Sequence, residues 1–124
     1  MTALVRSIRV FAVYLLVLAV VLLVAPNPLL QAFGLPPTSE VWIRVVGMLV
    51  AYLAVYYWVA AATELVPFFR ATVLTRLTVP AFFLIFVGAG WVRWPILLFG
   101  LVDAAGAVWT WWGLQHAGRQ QSRA

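Results

Sequence analysis

The chain has 124 residues, 66% of them hydrophobic and only 9% charged, with a mean hydropathy of +1.07. Soluble domains usually carry about 25% charged residues, so this composition excludes an ordinary water-soluble fold and points to lipid as the solvent. Its net charge of +5 comes from eight arginines set against Glu40, Glu64 and Asp103. The arginines stand singly at the ends of apolar runs, which argues against a basic stripe for nucleic acid.

Cysteine is absent, which removes disulfides, thiolate metal sites and cysteine nucleophiles. The single histidine, His116, leaves too few ligands for haem or zinc. No cofactor, metal or enzymatic activity is therefore expected.

Four apolar runs follow in order, at about 8–25, 41–63, 72–91 and 94–114. At 1.5 Å rise per residue each matches a hydrocarbon core of about 30 Å. The expected fold is an all-α membrane protein, one domain over 1–124, with four transmembrane helices in an antiparallel bundle. The first run follows Arg6 and Arg9 like a signal peptide. The stretch LLVAPNP, however, offers a poor cleavage site, and a retained helix is expected.

After the first run, PNPLLQAFGLPPTS reads as a short interfacial helix, with Asn27 as N-cap, Pro28 in the first turn and Gly34 as the stop. Ser39 is expected to cap the second span, with Glu40 in its positive first turn. ELVPFFRA reads as a brief link. GAGWVRWP is short enough to make the third and fourth spans antiparallel neighbours.

Arg6, Arg9, Arg70, Arg76, Arg119 and Arg123 fall at one side of these spans, and Arg44 and Arg93 at the other. The positive-inside rule then places both termini in the cytoplasm, which in a bacterium makes this an inner-membrane protein. Trp42, Trp91 and Trp94 at the outer ends, and Trp58, Trp111 and Trp112 toward the inner ends, form the expected aromatic belts. A weak echo of AVYYW (54–58) in AVWTW (107–111) is read as chance, because the first and third spans do not repeat.

The chemistry centres on Asp103, alone in FGLVDAAGAVWTWWG. It lies about 12 Å below the Pro95 start of its helix, where an ionised carboxylate costs about 2.5–3.5 kcal/mol to insert. Gly100, Gly106, Ala107, Thr110 and Gly113 share its helix face, a small-residue stripe that turns it toward the bundle. Arg44, above the stripe Gly47–Ala51–Ala54, is the first expected partner and Arg76 the second. Pro80 also deprives the Arg76 carbonyl of its helical donor. Either arginine alone could instead snorkel to its interface.

Two roles for Asp103 remain level: a buried carboxylate that pins helices, or a group that binds a proton or ligand. The binding candidates are Asp103, Arg44, Arg76 and Thr110. The second and fourth spans are expected to touch inside one bundle. Glu64 suits a surface ion pair, the span tyrosines suit packing, and His116 suits a helix C-terminus.

The stretches APNPLLQAFGLPP, IRVVG, TRLTVP and VDAAGAVWT resemble those of small bacterial four-helix membrane proteins of the DoxX-like type. The resemblance covers most of the chain and implies a four-helix inner-membrane fold. DoxX-type proteins serve as membrane subunits of quinone-linked oxidoreductases, so it also implies a role as an accessory subunit beside a membrane partner. The expected function is a non-enzymatic accessory or binding subunit in the lipid bilayer, with a membrane protein partner or as a homo-oligomer. The alternative is a small oligomeric transporter or proton-coupled carrier using Asp103.

Overall fold

In a computed structural model the backbone is described from Met1 to Arg123 and the side chains as far as Arg119. The side chain of Arg123, counted above with the inner arginines, lies outside the described residues. Helix α1 spans Thr2–Val24, α2 Pro26–Ala32, α3 Trp42–Ala62, α4 Val66–Gly88 and α5 Leu97–Arg123, the last entered through a 3-10 turn at Trp94–Ile96. No strand occurs among the described residues. Four helices are long and apolar enough to cross a membrane, which is compatible with an integral membrane protein.

The ends of these helices depart from expectation in instructive ways. Helix α4 begins at Val66, so most of ELVPFFRA is its first turns and not a link. Pro67 sits at the start, where its missing N–H would have had no intrahelical partner anyway. Asn27 is not the cap of α2. Proline opens that helix after Ala25, and the Asn27 side chain instead accepts the Thr38 backbone N–H at 2.9 Å, drawing the following loop back over α2. Gly34 ends the helix with φ +73°, a conformation that costs glycine little. Ser39 and Glu40 do not cap α3: its N-cap is Val41, and the Glu40 N–H is taken by the Thr38 hydroxyl.

Packing is organised around α1, which lies against both α3 and α5, while α4 lies against α5. The expected contact between the second and fourth spans is not among the main ones, and the glycines of α3 and α5 lie against other helices. Gly47 of α3 lies under Leu22 and Leu23 of α1. Gly113 of α5 lies so close to Leu4 that an added Cβ would sit 2.8 Å from the Leu4 Cα. Small residues let helix backbones approach where lipid gives no hydrophobic drive for association.

The buried core gathers Leu4, Ile8, Phe11 and Leu15 of α1 with Ala54 and Tyr57 of α3, Phe69 of α4 and Ala117 of α5. Tyr57 meets Phe11 of α1 edge-on at 5.3 Å and Phe68 of α4 at 5.2 Å. Much of the remaining apolar surface faces outward, including Val17, Val55, Leu74, Ile85 and Leu101. That is the arrangement a lipid-solvated protein requires.

Candidate functional site

Polar side chains inside an apolar span need partners within the protein, and α4 supplies several locally. The hydroxyls of Thr72, Thr75 and Thr78 donate to the carbonyls of Phe69, Thr72 and Thr75, at 2.8, 3.2 and 2.6 Å. These bonds back to the preceding turn let TRLTVP sit in an apolar environment. Thr72 also prepares the site of Arg76 one turn later.

Arg76 is only 2% exposed. Its Nε donates to the Thr72 carbonyl at 3.2 Å, and its Nη2 to the Thr72 hydroxyl at 3.3 Å and the Thr110 hydroxyl at 2.7 Å. Its guanidinium carbon stands 4.5 Å from the centre of the Phe11 ring, a cation–π position. Nη1 has no hydrogen-bond partner among the described residues. Gly106 makes room for it: a Cβ there would lie 3.1 Å from Nη1. Snorkelling is thus not what Arg76 does.

Thr110, fully buried, continues the network to α1. Its hydroxyl lies 2.9 Å from the Ser7 hydroxyl, and Ser7 donates to the Leu4 carbonyl at 2.7 Å. Each hydroxyl has one hydrogen. Since that of Ser7 goes to Leu4, Thr110 is the donor to Ser7 and the acceptor from Arg76. A single directed chain therefore runs from α4 through α5 to α1.

Arg44 and Asp103 are not brought together. Arg44 is exposed, and its Nη1 donates to the Leu23 carbonyl near the end of α1. The last four carbonyls of a helix have no partner within it, and Arg44 serves one of them. The sequence signal pointed Arg44 at the only acid of the fourth span; the nearer acceptor was an unsatisfied carbonyl.

Asp103 forms no hydrogen bond or ion pair among the described residues. Arg76 is the cation close enough to act on it electrostatically, together with the neighbouring tyrosines Tyr14 and Tyr57. The carboxylate lies on the wall of a partly open cavity of about 240 Å³, where only it and Tyr14 are polar. Leu15, Leu18 and Leu22 of α1, Val46 and Val50 of α3, and Phe83 of α4 supply much of the apolar wall. Helix α2 contributes Leu29 and Leu30, and Phe33 just after it stacks on Phe99 of α5 at 4.0 Å.

Of the four expected binding residues, Arg76 and Thr110 are joined directly, Asp103 stands near them on a separate cavity wall, and Arg44 is elsewhere. Ser7, Thr72 and Phe11 complete the network and were not singled out from the sequence. The Thr72–Arg76 spacing of one helical turn was a usable signal. A wider groove of about 510 Å³ lies between Arg70 and Arg119 near the C-terminal end of α5, away from Asp103. No group of three or more potential metal ligands occurs among the described residues.

Comparison with protein-family models, curated proteins and solved structures finds no match to this chain.

Proposed function

We propose that this chain is a multi-pass bacterial inner-membrane protein that acts as a non-enzymatic binding or accessory subunit, with the cavity beside Asp103 as its binding site. The observation that carries the reading is the pairing of an apolar cavity with one carboxylate that makes no hydrogen bond among the described residues. Ligand sites are typically apolar concavities with a few convergent polar groups. An ionisable side chain within a span favours function over packing.

The bundle is read as antiparallel with both termini cytoplasmic. Supporting this are the Leu4–Gly113, Phe11–Tyr57 and Leu22–Gly47 approaches and the arginine distribution. The likeness to small DoxX-like proteins accords with an accessory role, and the outward apolar faces suit lipid, a membrane partner or a second copy of the chain. A carrier would need a polar path from Asp103 toward the opposite face. The buried Phe11 and the Arg76–Thr110 pair favour the binding reading over that one.

Native mass spectrometry of protein purified in mild detergent tests the reading. The parent is expected to retain a small-molecule adduct, and Val50→Phe, which fills the cavity wall, is expected to lose it while keeping its helical signal. An adduct unchanged in Val50→Phe would contradict the site.

A further inference from the structure

We infer that the cavity beside Asp103 takes a small lipophilic cation, a primary ammonium group on an apolar body, with Asp103 as its counter-ion. This rests on the binding reading above and adds the ligand's charge and size.

The first argument is the accounting of cations. Both arginines near the bundle interior are otherwise engaged. Arg76 commits Nε and Nη2 to Thr72 and Thr110, and its guanidinium face to Phe11. Arg44 is held by the Leu23 carbonyl. Neither donates a hydrogen bond to the carboxylate, on which Arg76 acts only through space, and Asp103 and Tyr14 are the polar members of an otherwise apolar cavity wall.

The second argument is complementarity. In an apolar setting a carboxylate attracts an ammonium more strongly than water-exposed groups would, and a charge-assisted hydrogen bond adds to that attraction. Phe33 and Phe99, stacked on each other in the same wall, add apolar contact for the body of the ligand. An anion would meet the Asp103 charge instead. The one Arg76 nitrogen without a partner lies behind Gly106, and Arg76 is not part of the cavity wall.

The third argument is size. The cavity is about 240 Å³, and at about 30 Å³ per water-sized group it holds on the order of eight non-hydrogen atoms. That volume admits a phenylalkyl amine or a short alkyl amine.

Calorimetric titration of the full chain in detergent with 2-phenylethylamine, 2-phenylethanol and phenylacetate tests the inference. The amine is expected to bind the parent about tenfold or more tighter than the alcohol, with phenylacetate weakest. Asp103→Asn should bring amine and alcohol within about twofold of each other, and Asp103→Glu should keep the preference for the amine. Val50→Phe should weaken amine and alcohol alike. Equal binding of amine and alcohol to the parent, both blocked by Val50→Phe, would overturn the ammonium assignment and leave the cavity reading standing. Binding unaffected by Val50→Phe, or no binding of any probe to the parent, would overturn both.

Discussion

Arg76 donates from Nη2 to the Thr110 hydroxyl at 2.7 Å, and through Thr110 and Ser7 the bond continues to the Leu4 carbonyl. Three helices are joined by groups that have no solvent to fall back on. Hydrogen bonds between membrane helices average about 0.6 kcal/mol, but a donor left without a partner in a low-dielectric interior costs more.

Thr110→Val should therefore destabilise the protein by about 1–3 kcal/mol, because Arg76 and Ser7 both lose a partner. Thr110→Ser keeps the hydroxyl and should recover most of that loss. Chemical unfolding in mixed micelles reads both, and equal losses for valine and serine would assign the effect to packing alone.

Arg76→Met removes the buried charge as well as its bonds, so the remaining groups face a more uniform apolar interior. Combined with Thr110→Val, the loss should be smaller than the sum of the single losses by about 0.5–1.5 kcal/mol. A double-mutant cycle measures this, and strict additivity would show that the two residues do not act together.

Gly113→Ala should destabilise by about 1–3 kcal/mol, since the new methyl would meet the Leu4 backbone and separate α1 from α5. Gly118 has no neighbour within 4 Å of an added Cβ, so Gly118→Ala should be neutral or stabilising by up to about 1 kcal/mol. Melting temperatures in detergent separate the two. Equal effects would remove the close approach from the account.

The proposed orientation is open to labelling, because the chain has no cysteine background. A cysteine at Ser39 should react with an impermeant maleimide on intact cells, and one at Thr2 should react only after lysis. The opposite pattern would reverse the topology and place the Arg70–Arg119 end outside.

The positions of the four spans followed from hydropathy because a run of apolar residues needs no tertiary information to be recognised. Their ends did not. Pro67 looked like part of a link, yet a proline is equally at home in a first turn, and only the packing of Phe68 and Phe69 into the core decides between the two. Asp103, Arg76 and Thr110 stood out singly as polar groups in apolar runs. Which of them meet depends on which helices are neighbours, and the small-residue stripes alone do not say: Gly47 of α3 faces α1, while Gly100, Gly106 and Gly113 of α5 face α4 and α1. Ser7 carried almost no signal, because a lone serine between Arg6 and Arg9 resembles a solvated helix start. Its role emerges only when Thr110 arrives from a residue more than a hundred positions away.

Asp103 lies on the cavity wall and makes no hydrogen bond to this network among the described residues, feeling Arg76 only through space. Unfolding of Asp103→Asn beside Thr110→Val, in the same detergent and without added ligand, tests most directly whether the acid is held for a ligand or for the bundle. A carboxylate kept for binding predicts an Asp103→Asn protein within about 0.5 kcal/mol of the parent, while Thr110→Val falls well below it. A loss in Asp103→Asn as large as that of Thr110→Val would contradict the binding role and make the carboxylate a structural member of the polar centre.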